Sequence, residues 1–312
     1  MKRTVYIIGE LNPDVILAGP DVKPEPNKEK LIARLETTLG SSSAITACVL
    51  ARLGADVRFV SLVGDDEYGR FCIEMLRRFE VDVRHVGITD REKTGVTFSL
   101  STPADRSLLT YMGTISMVEP GHIPLEEIAA EAGHVHFGSF YLQARMKREW
   151  AGLFHRLKEE GITTSFDVGY DPNERWDRDL IAPLLAYTDY FLPSETEIAH
   201  IFGTDDPAEL AHALPAKRGL VAVKRGKDGA SLLEPDGKLI HAAPFRVTPV
   251  DTTGAGDSFN AGFIYASLAG LELAERLRFA CACGALATQR IGGVQGAPTL
   301  EEVRAFMAGQ RD

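Results

Sequence analysis

No stretch of this 312-residue chain approaches the roughly 20 consecutive apolar residues that a membrane helix needs, so no membrane span is expected. Lys2-Arg3 precede only a short apolar run at 5–8, less than the core of a secretory signal. Cysteine is scarce: Cys48, Cys72, Cys281 and Cys283 form no Cys-x-x-Cys pair, and Cys281-Ala-Cys283 has no companion cluster to complete a zinc site. Free thiols in a reducing cytosol are the better reading, and a cytoplasmic location is expected. Basic charge is short as well, with 34 Lys and Arg against 44 Asp and Glu and a net charge of −10. That balance speaks against a nucleic-acid surface, which needs clustered cations. A Gly-x₄-Gly-Lys-Ser/Thr loop is missing, which excludes a Walker P-loop. Internal repeats, low-complexity tracts and a flexible interdomain linker are missing too.

What is present suits a soluble α/β protein of one large or two average domains, with 45% apolar and 25% charged residues. Residues 5–8, closed by Gly9, read as a buried parallel strand, as do residues 57–63. A helix is expected over 44–53, with serines at its N-cap and Gly54 at its stop. A second is expected over 67–79, where Tyr68, Phe71, Cys72, Met75, Leu76 and Phe79 share one face. Beyond residue 123, strands at 135–137, 164–167, 190–192 and 220–224 alternate with helices near 147–159, 177–186, 195–202 and from about 257. A hairpin falls at 231–242. Such alternation implies a mostly parallel sheet covered on both faces. Residues 13–38 are interrupted by Pro13, Pro20, Pro24 and Pro26, and residues 94–112 alternate around a polar turn at Pro103-Ala-Asp-Arg106. Both read as short strands of a separate small sheet.

The densest chemistry lies in Asp251-Thr-Thr-Gly254-Ala255-Gly256-Asp257-Ser-Phe-Asn-Ala-Gly262. A glycine turn that feeds an apolar helix exposes N–H groups with no intrahelical partner, and the helix dipole adds positive charge. Together they make an anion site suited to a phosphate in transfer. An aspartate at that helix start is held ionised, ready to take a proton from a nearby hydroxyl. The plain alternative is a glycine turn with Asp257 as its cap, but the two flanking aspartates and the Thr pair favour chemistry. Phe259 stands where a dinucleotide fingerprint has its third glycine, which disfavours a nicotinamide dehydrogenase.

Asp-Thr-x-Gly-Ala-Gly-Asp resembles the C-terminal motif of the PfkB, or ribokinase-like, carbohydrate kinase family. The segment from Gly40 to Asp65, with Ala51-Arg-Leu-Gly-Ala55 and Val63-Gly-Asp-Asp66-x-x-Gly69, is similar to that family's first motif. Gly9-Glu-Leu-Asn12-Pro-Asp14 resembles its opening strand and sugar-binding loop. Order and spacing match, and the resemblance covers essentially the whole chain. It implies a three-layer α/β/α fold with a mostly parallel central sheet. The kinase domain would comprise 1–12, 39–93 and 113–312, and the β lid 13–38 and 94–112, which in several members also forms a homodimer.

The reaction implied is transfer of the ATP γ-phosphate, with Mg²⁺, to a hydroxyl of a small sugar or sugar acid. By this resemblance Asp257 takes the hydroxyl proton, while the amides of Gly254, Ala255 and Gly256 hold the transferring phosphoryl group. Asn12 and Asp14, helped by Gly40 and Ser41, bind the sugar. Lys224, Gly226 and Gly229, with Gly254 and Gly256, approach the nucleotide. Ser194-Glu-Thr-Glu197 takes the place of an Asn-x-x-Glu motif and leaves Glu197 to act on Mg²⁺ through water. Asp251, Thr253 and Gly292 correspond to a monovalent-cation (K⁺) site of some members.

The chain departs from the family pattern at several places. Ser41 and Ile45 replace a glycine and an asparagine, Cys281 replaces an asparagine near the adenine, and Asp167-Val-Gly-Tyr-Asp171 lacks the Asn and Arg of Asp-x-Asn-x-Arg. Weaker signals are Gly138-Ser139 at a strand end, where a substrate contact is expected, and Arg106 in the lid turn, where a solvated role is the commoner one. His134 and His136 share one strand face, and a core role outweighs a metal role there. Two rival readings stay open: a nucleoside kinase on the same fold, favoured by apolar Ile45, Phe98 and Tyr111, and a catalytically silent metabolite-binding relative.

Overall fold

Alternate residues of the first strand, β1 (Thr4–Ile8), enter different cores, since Tyr6 and Ile8 pack into one apolar cluster and Val5 and Ile7 into another. A strand buried on both faces needs a layer on each side, and the chain supplies both. The computed structural model describes residues 4–102 and 106–310. Lys2-Arg3 and Pro103-Ala-Asp105 of the expected lid turn lie outside the described residues. After β1 come β2 (Pro13–Ala18) and β3 (Arg34–Leu39), α1 (Ser42–Arg52), β4 (Asp56–Gly64), α2 (Glu67–Arg78), β5 (Asp82–Thr89), β6 (Val96–Ser101) and β7 (Arg106–Tyr111). The second half runs α3 (Leu125–Glu131), β8 (Ala132–Phe137), α4 (Trp150–Glu159), β9 (Thr163–Phe166), α5 (Arg178–Leu185), β10 (Tyr190–Phe191), α6 (Glu195–Phe202) and α7 (Pro207–Ala213). It closes with β11 (Leu220–Lys224), β12 (Ala230–Leu233), β13 (Leu239–Ala242), α8 (Ala255–Leu268), α9 (Leu273–Ala287) and α10 (Leu300–Gly309).

Nine strands form the main sheet in the order β13-β12-β11-β10-β9-β8-β1-β4-β5. Every pair from β11 to β5 is parallel, while the β11–β12 and β12–β13 pairs at the far end are antiparallel. The order reverses at β1, which leads to β4 on one side and pairs with β8 on the other. Such a reversal opens a crevice at the carboxyl ends of the strands. A second sheet, β3-β2-β6-β7, draws its strands from the two proline- and turn-rich stretches, and it joins β2 and β6 in parallel.

The helices start and stop as their caps dictate. Ser41 accepts from the Ala44 amide at the start of α1, and Asp66 accepts from the Gly69 amide at the start of α2. Asp66 also accepts from the amide of Thr94, and the Thr94 hydroxyl accepts from the Gly64 amide, so the Gly-Asp-Asp-x-x-Gly segment anchors the entry to β6. The helix expected from 147 begins at Trp150, because the chain first makes turns through 140–149. Sequence periodicity missed β5, a half-buried edge strand with no clean alternation, and it missed α3, α7, α9 and α10. His134 and His136 are core residues: they hydrogen-bond Thr163 and Ser165, and burial pushes their pKa values down to about 3 and about 4.

Trp150 is wholly buried and stacks on Phe137, with ring centroids 3.8 Å apart. Trp150→Ala should cost about 3–5 kcal/mol in a urea unfolding titration; a loss under about 1 kcal/mol would mean the core there relaxes around the void.

Candidate active site

The side chains that can do chemistry lie just past the carboxyl ends of the parallel strands. Glu10 and Asn12 follow β1, Ser139 follows β8, Asp167 follows β9, Ser194 and Glu197 follow β10, and Lys224 ends β11. Asp257 approaches them from the first turn of α8. Its helix opens at Gly254, whose φ of 75° is left-handed and whose missing Cβ would stand 2.8 Å from Gly293 Cα. Only glycine fits there, which explains the turn's composition. The first amides of α8 have no carbonyl of a preceding helical turn to bond, and that of Ala255 reaches the Thr252 carbonyl at 3.3 Å.

Asp257 Oδ1 accepts a hydrogen bond from Ser42 Oγ at 2.5 Å. Burial pushes its carboxyl up to about 7, the charges of Asp167 and Glu10 push the same way, and the Ser42 hydrogen bond and Lys224 pull against them. An aspartate so placed titrates near neutrality, where a general base works best.

On one side of Asp257 lie the residues expected to hold a sugar. Asn12 is buried, and its amide donates to the Pro13 carbonyl at 3.2 Å and to Thr97 Oγ1 at 3.4 Å. Asp14 is pushed up to about 6, chiefly by burial, while Arg106 pulls it down. Gly40 stands beside it, since a Cβ there would lie 2.2 Å from Asp14 Oδ1. Ser41 has its hydroxyl committed to the Glu10 carbonyl at 2.6 Å and to the Ala44 amide. Arg106 donates to Thr253 Oγ1 at 2.6 Å, so the small sheet is tied to the glycine turn.

On the other side a cavity of about 570 Å³ is lined by Lys224, Gly226, Gly229, Gly256 and Cys281, with Phe245, Val247 and Phe259 among its apolar walls. Of the cations in its wall, Lys224 is the one that is largely buried. Burial opposes its charge, but Asp167 and Glu197 outweigh that and hold its pKa above the ordinary value. Lys224 Nζ pairs with Asp167 and lies 3.3 Å from Asn260 Oδ1, and Asn260 Nδ2 donates to Asp167 at 2.6 Å. Asp167 stays low despite its burial because Lys224, Asn260 and the Gly169 amide all favour its charge. Glu197 shares a reciprocal cap with Ser194, and burial followed by the field of Asp167 raises its pKa. Asp251 gathers Thr253 and Gly292, accepting from the Thr253 amide and hydroxyl and from the Gly292 amide at 2.9 Å.

Sequence reasoning missed the roles of Ser42 and Asn260 and undervalued Asp167. A triple serine carries only a capping signal, and the absent Asn and Arg lowered the weight given to Asp167. Asp171 is a turn organiser that accepts from the amides of Asn173, Arg175 and Trp176. Ile45 is buried in the core, where it fills the space a Gly293 side chain would need, and the Tyr111 hydroxyl donates to Glu92.

A crevice at the sheet's reversal, a glycine turn on a helix N-terminus, a near-neutral aspartate and a buried lysine define a phosphotransferase of the ribokinase type. The model of the pfkB family carbohydrate kinases matches residues 2–300, and the chain belongs to that family. It is 34% identical over 309 residues to an ATP-dependent ribose-1-phosphate kinase of Halopiger xanaduensis, covering 99% of each chain. It is 31% identical over 286 residues to a 2-dehydro-3-deoxygluconokinase of Bacillus subtilis, covering 88% of this chain and 87% of that one. An Escherichia coli structure classed provisionally as ribokinase II, in complex with ATP and Mg²⁺, superposes with a TM-score of 0.86 at 25% identity, covering 98% of this chain and 99% of that one. The protein is an ATP-dependent carbohydrate kinase whose substrate is a sugar or sugar acid. No helix among the described residues is long and apolar enough to cross a membrane.

Only the ionised form of Asp257 can accept a proton, so for Asp257 as general base kcat/KM should fall about tenfold per pH unit on the acid side of a limb near 7. The Ser42 hydrogen bond lowers the Asp257 pKa, so in Ser42→Ala that limb should move to higher pH. A limb that stays in place or moves down would remove Ser42 from the titration of the base.

Proposed function

We propose that Asp257 is the general base that takes the proton of a small sugar's or sugar acid's hydroxyl as that hydroxyl receives the γ-phosphate of ATP. The observation that carries this reading is its position, in the first turn of α8 next to Gly256 of the cavity wall, with Oδ1 held by Ser42 just past Gly40 and Ser41. With Oδ1 engaged by Ser42, Oδ2 is left to receive the acceptor's proton. The hydroxyl oxygen forms a bond to the γ-phosphorus as the bond to the ADP oxygen breaks, and ADP leaves with that electron pair. The amides of Gly254, Ala255 and Gly256 hold the transferring oxygens, and Lys224 offsets their charge. Gly226 and Gly229 leave room for the nucleotide beside β11.

Asn12 and Asp14, with Gly40 and Ser41 shaping the loop, orient the sugar. Arg106, reaching from the small sheet to Thr253, favours a lid that excludes water when substrate is bound. The oxygen donors Glu197 and Asp167 suit a hard divalent cation such as Mg²⁺, which would draw most of its other ligands from phosphates and water. When bound, it neutralises phosphate charge. Among the described residues no group of three or more His, Cys, Asp or Glu side chains could hold a metal ion. The junction of Asp251, Thr253 and Gly292 is our candidate for a monovalent-cation site, K⁺ being the natural test ion. The nucleoside alternative loses the support of Ile45, which is in the core and does not line the cavity that holds Lys224. The silent-relative alternative sits poorly with an intact base and glycine turn.

The small sheet also supports a homodimer. Every residue of β7 is exposed, and Leu108, Leu109 and Leu35 are more than half exposed on strands at the two edges of that sheet. Buried free thiols at Cys48, Cys72, Cys281 and Cys283 fit a cytoplasmic home.

Asp257→Asn should abolish ADP release with Mg-ATP across a panel of sugars, sugar acids, sugar phosphates and nucleosides, with ATP affinity held within several-fold. Turnover above a tenth of the wild-type rate would sink the role of Asp257. In sedimentation, wild type should run as a dimer and Leu35→Lys/Leu109→Lys as a monomer; a wild-type monomer would end the dimer proposal.

A further inference from the structure

Glu10 is 2% exposed and sits in the crevice between β1 and β8, yet among the described residues no Lys, Arg or His pairs with it. A buried carboxylate without a cation is costly unless neutral donors surround it. Here they do. Glu10 Oε1 lies 3.1 Å from Ser41 Oγ, accepts from the Ser43 amide at 3.3 Å and from Ser139 Oγ at 2.9 Å. Its Oε2 accepts from Ser43 Oγ at 2.8 Å and from Gln143 Nε2 at 3.4 Å.

Two of those donors hold unusual backbone. Ser41 has φ 70° and Ser139 φ 55°, left-handed values that cost a non-glycine residue about 1–3 kcal/mol each and persist only where surroundings fix them. The serine loop is drawn close by Gly9, where a Cβ would stand 2.0 Å from Ser43 Oγ. The middle serine of that loop, Ser42, is the one that reaches Asp257.

We propose that Glu10 is a positioning residue for phosphoryl transfer, gripping Ser41 and Ser43 from below and Ser139 from across the crevice so that Ser42 is aimed at Asp257 Oδ1. Glu10 touches no reacting atom and acts through the serine loop. A carboxylate is needed because donors converge on both oxygens. Glutamine would keep the shape but turn an NH₂ group toward hydroxyls and an amide that already donate. The proposal rests on Asp257 being the base, and it places the orientation of that base under a residue just past the end of β1.

A purely structural Glu10 would lower stability without caring whether Ser42 is present. The test is therefore a kinetic cycle on the full chain with Glu10→Gln, Ser42→Ala and the double variant, using the sugar that gives turnover. Each single change should lower kcat about tenfold or more while the KM for ATP stays within about threefold. In the Ser42→Ala background, Glu10→Gln should cost less than about twofold more. Losses that multiply, or a Glu10→Gln enzyme with wild-type kcat, would overturn the proposal.

Ser139→Gly serves if Glu10→Gln does not fold, because glycine accepts the left-handed backbone while deleting one donor to Glu10. It should lower kcat alone and have no further effect beside Ser42→Ala; a loss unchanged by Ser42→Ala would equally overturn the proposal. Failure of the base assignment reads out separately, as turnover retained by Asp257→Asn.

Discussion

Phosphoryl transfer forces a carboxylate base against a triphosphate, and the two repel unless fixed positive charge stands between them. At an effective dielectric of about 20, two unit charges about 4 Å apart interact by about 4 kcal/mol, enough to move a carboxyl by about three pH units. Asp257 is moved by that order, up to about 7, through burial and the negative charges of Asp167 and Glu10. What keeps it usable is a limited set of opposing contacts: Ser42 on Oδ1 and Lys224 nearby. Lys224 is held charged in a buried place because Asp167 and Asn260 flank it. A charge that stays fixed before substrate arrives needs no reorganisation during reaction.

The sheet's topology makes this balance possible. Parallel strands deliver Glu10, Ser139, Asp167, Ser194 and Lys224 to one edge, from positions far apart in the chain. The reversal at β1 opens a gap between β1 and β8, and the Glu10–Ser139 hydrogen bond spans it. From the far side, α8 brings its positive end and Asp257 to the same gap. The small sheet is fastened to this frame by Arg106 on Thr253 and by Gln295 on Glu36, so the acceptor side and the glycine turn are mechanically linked.

Most of this frame was legible in the residues. The apolar runs of β1, β4, β8 and β11 and the capped helices α1, α2 and α8 announce themselves through burial period, serine caps and glycine stops. The glycine turn was legible because its chemistry is local: a glycine turn at a helix start offers an anion site through backbone and position alone. Edge strand β5 escaped because an edge buries only part of its residues and so loses the alternation that periodicity detects. Helix α9 has small residues on nearly every face, as a helix packed among others can, and no single stripe marks it. Ile45 was read as a substrate neighbour, although its place in the core is set by Gly293, almost 250 residues along the chain.

The sequence by itself determined the layers, the parallel sheet, the small second sheet and the aspartate behind a glycine turn, because each depends on short-range pattern and backbone chemistry. Only the tertiary structure decided which carboxylates share a cation, which serine meets Asp257, and that Glu10 is buried with neutral donors alone. Those are contacts between residues separated by tens to hundreds of positions, such as Asp167 with Lys224 and Ser42 with Asp257. Hydrogen bonds and desolvation act over a few ångströms, and no spacing along the chain records which distant groups the fold will bring that close.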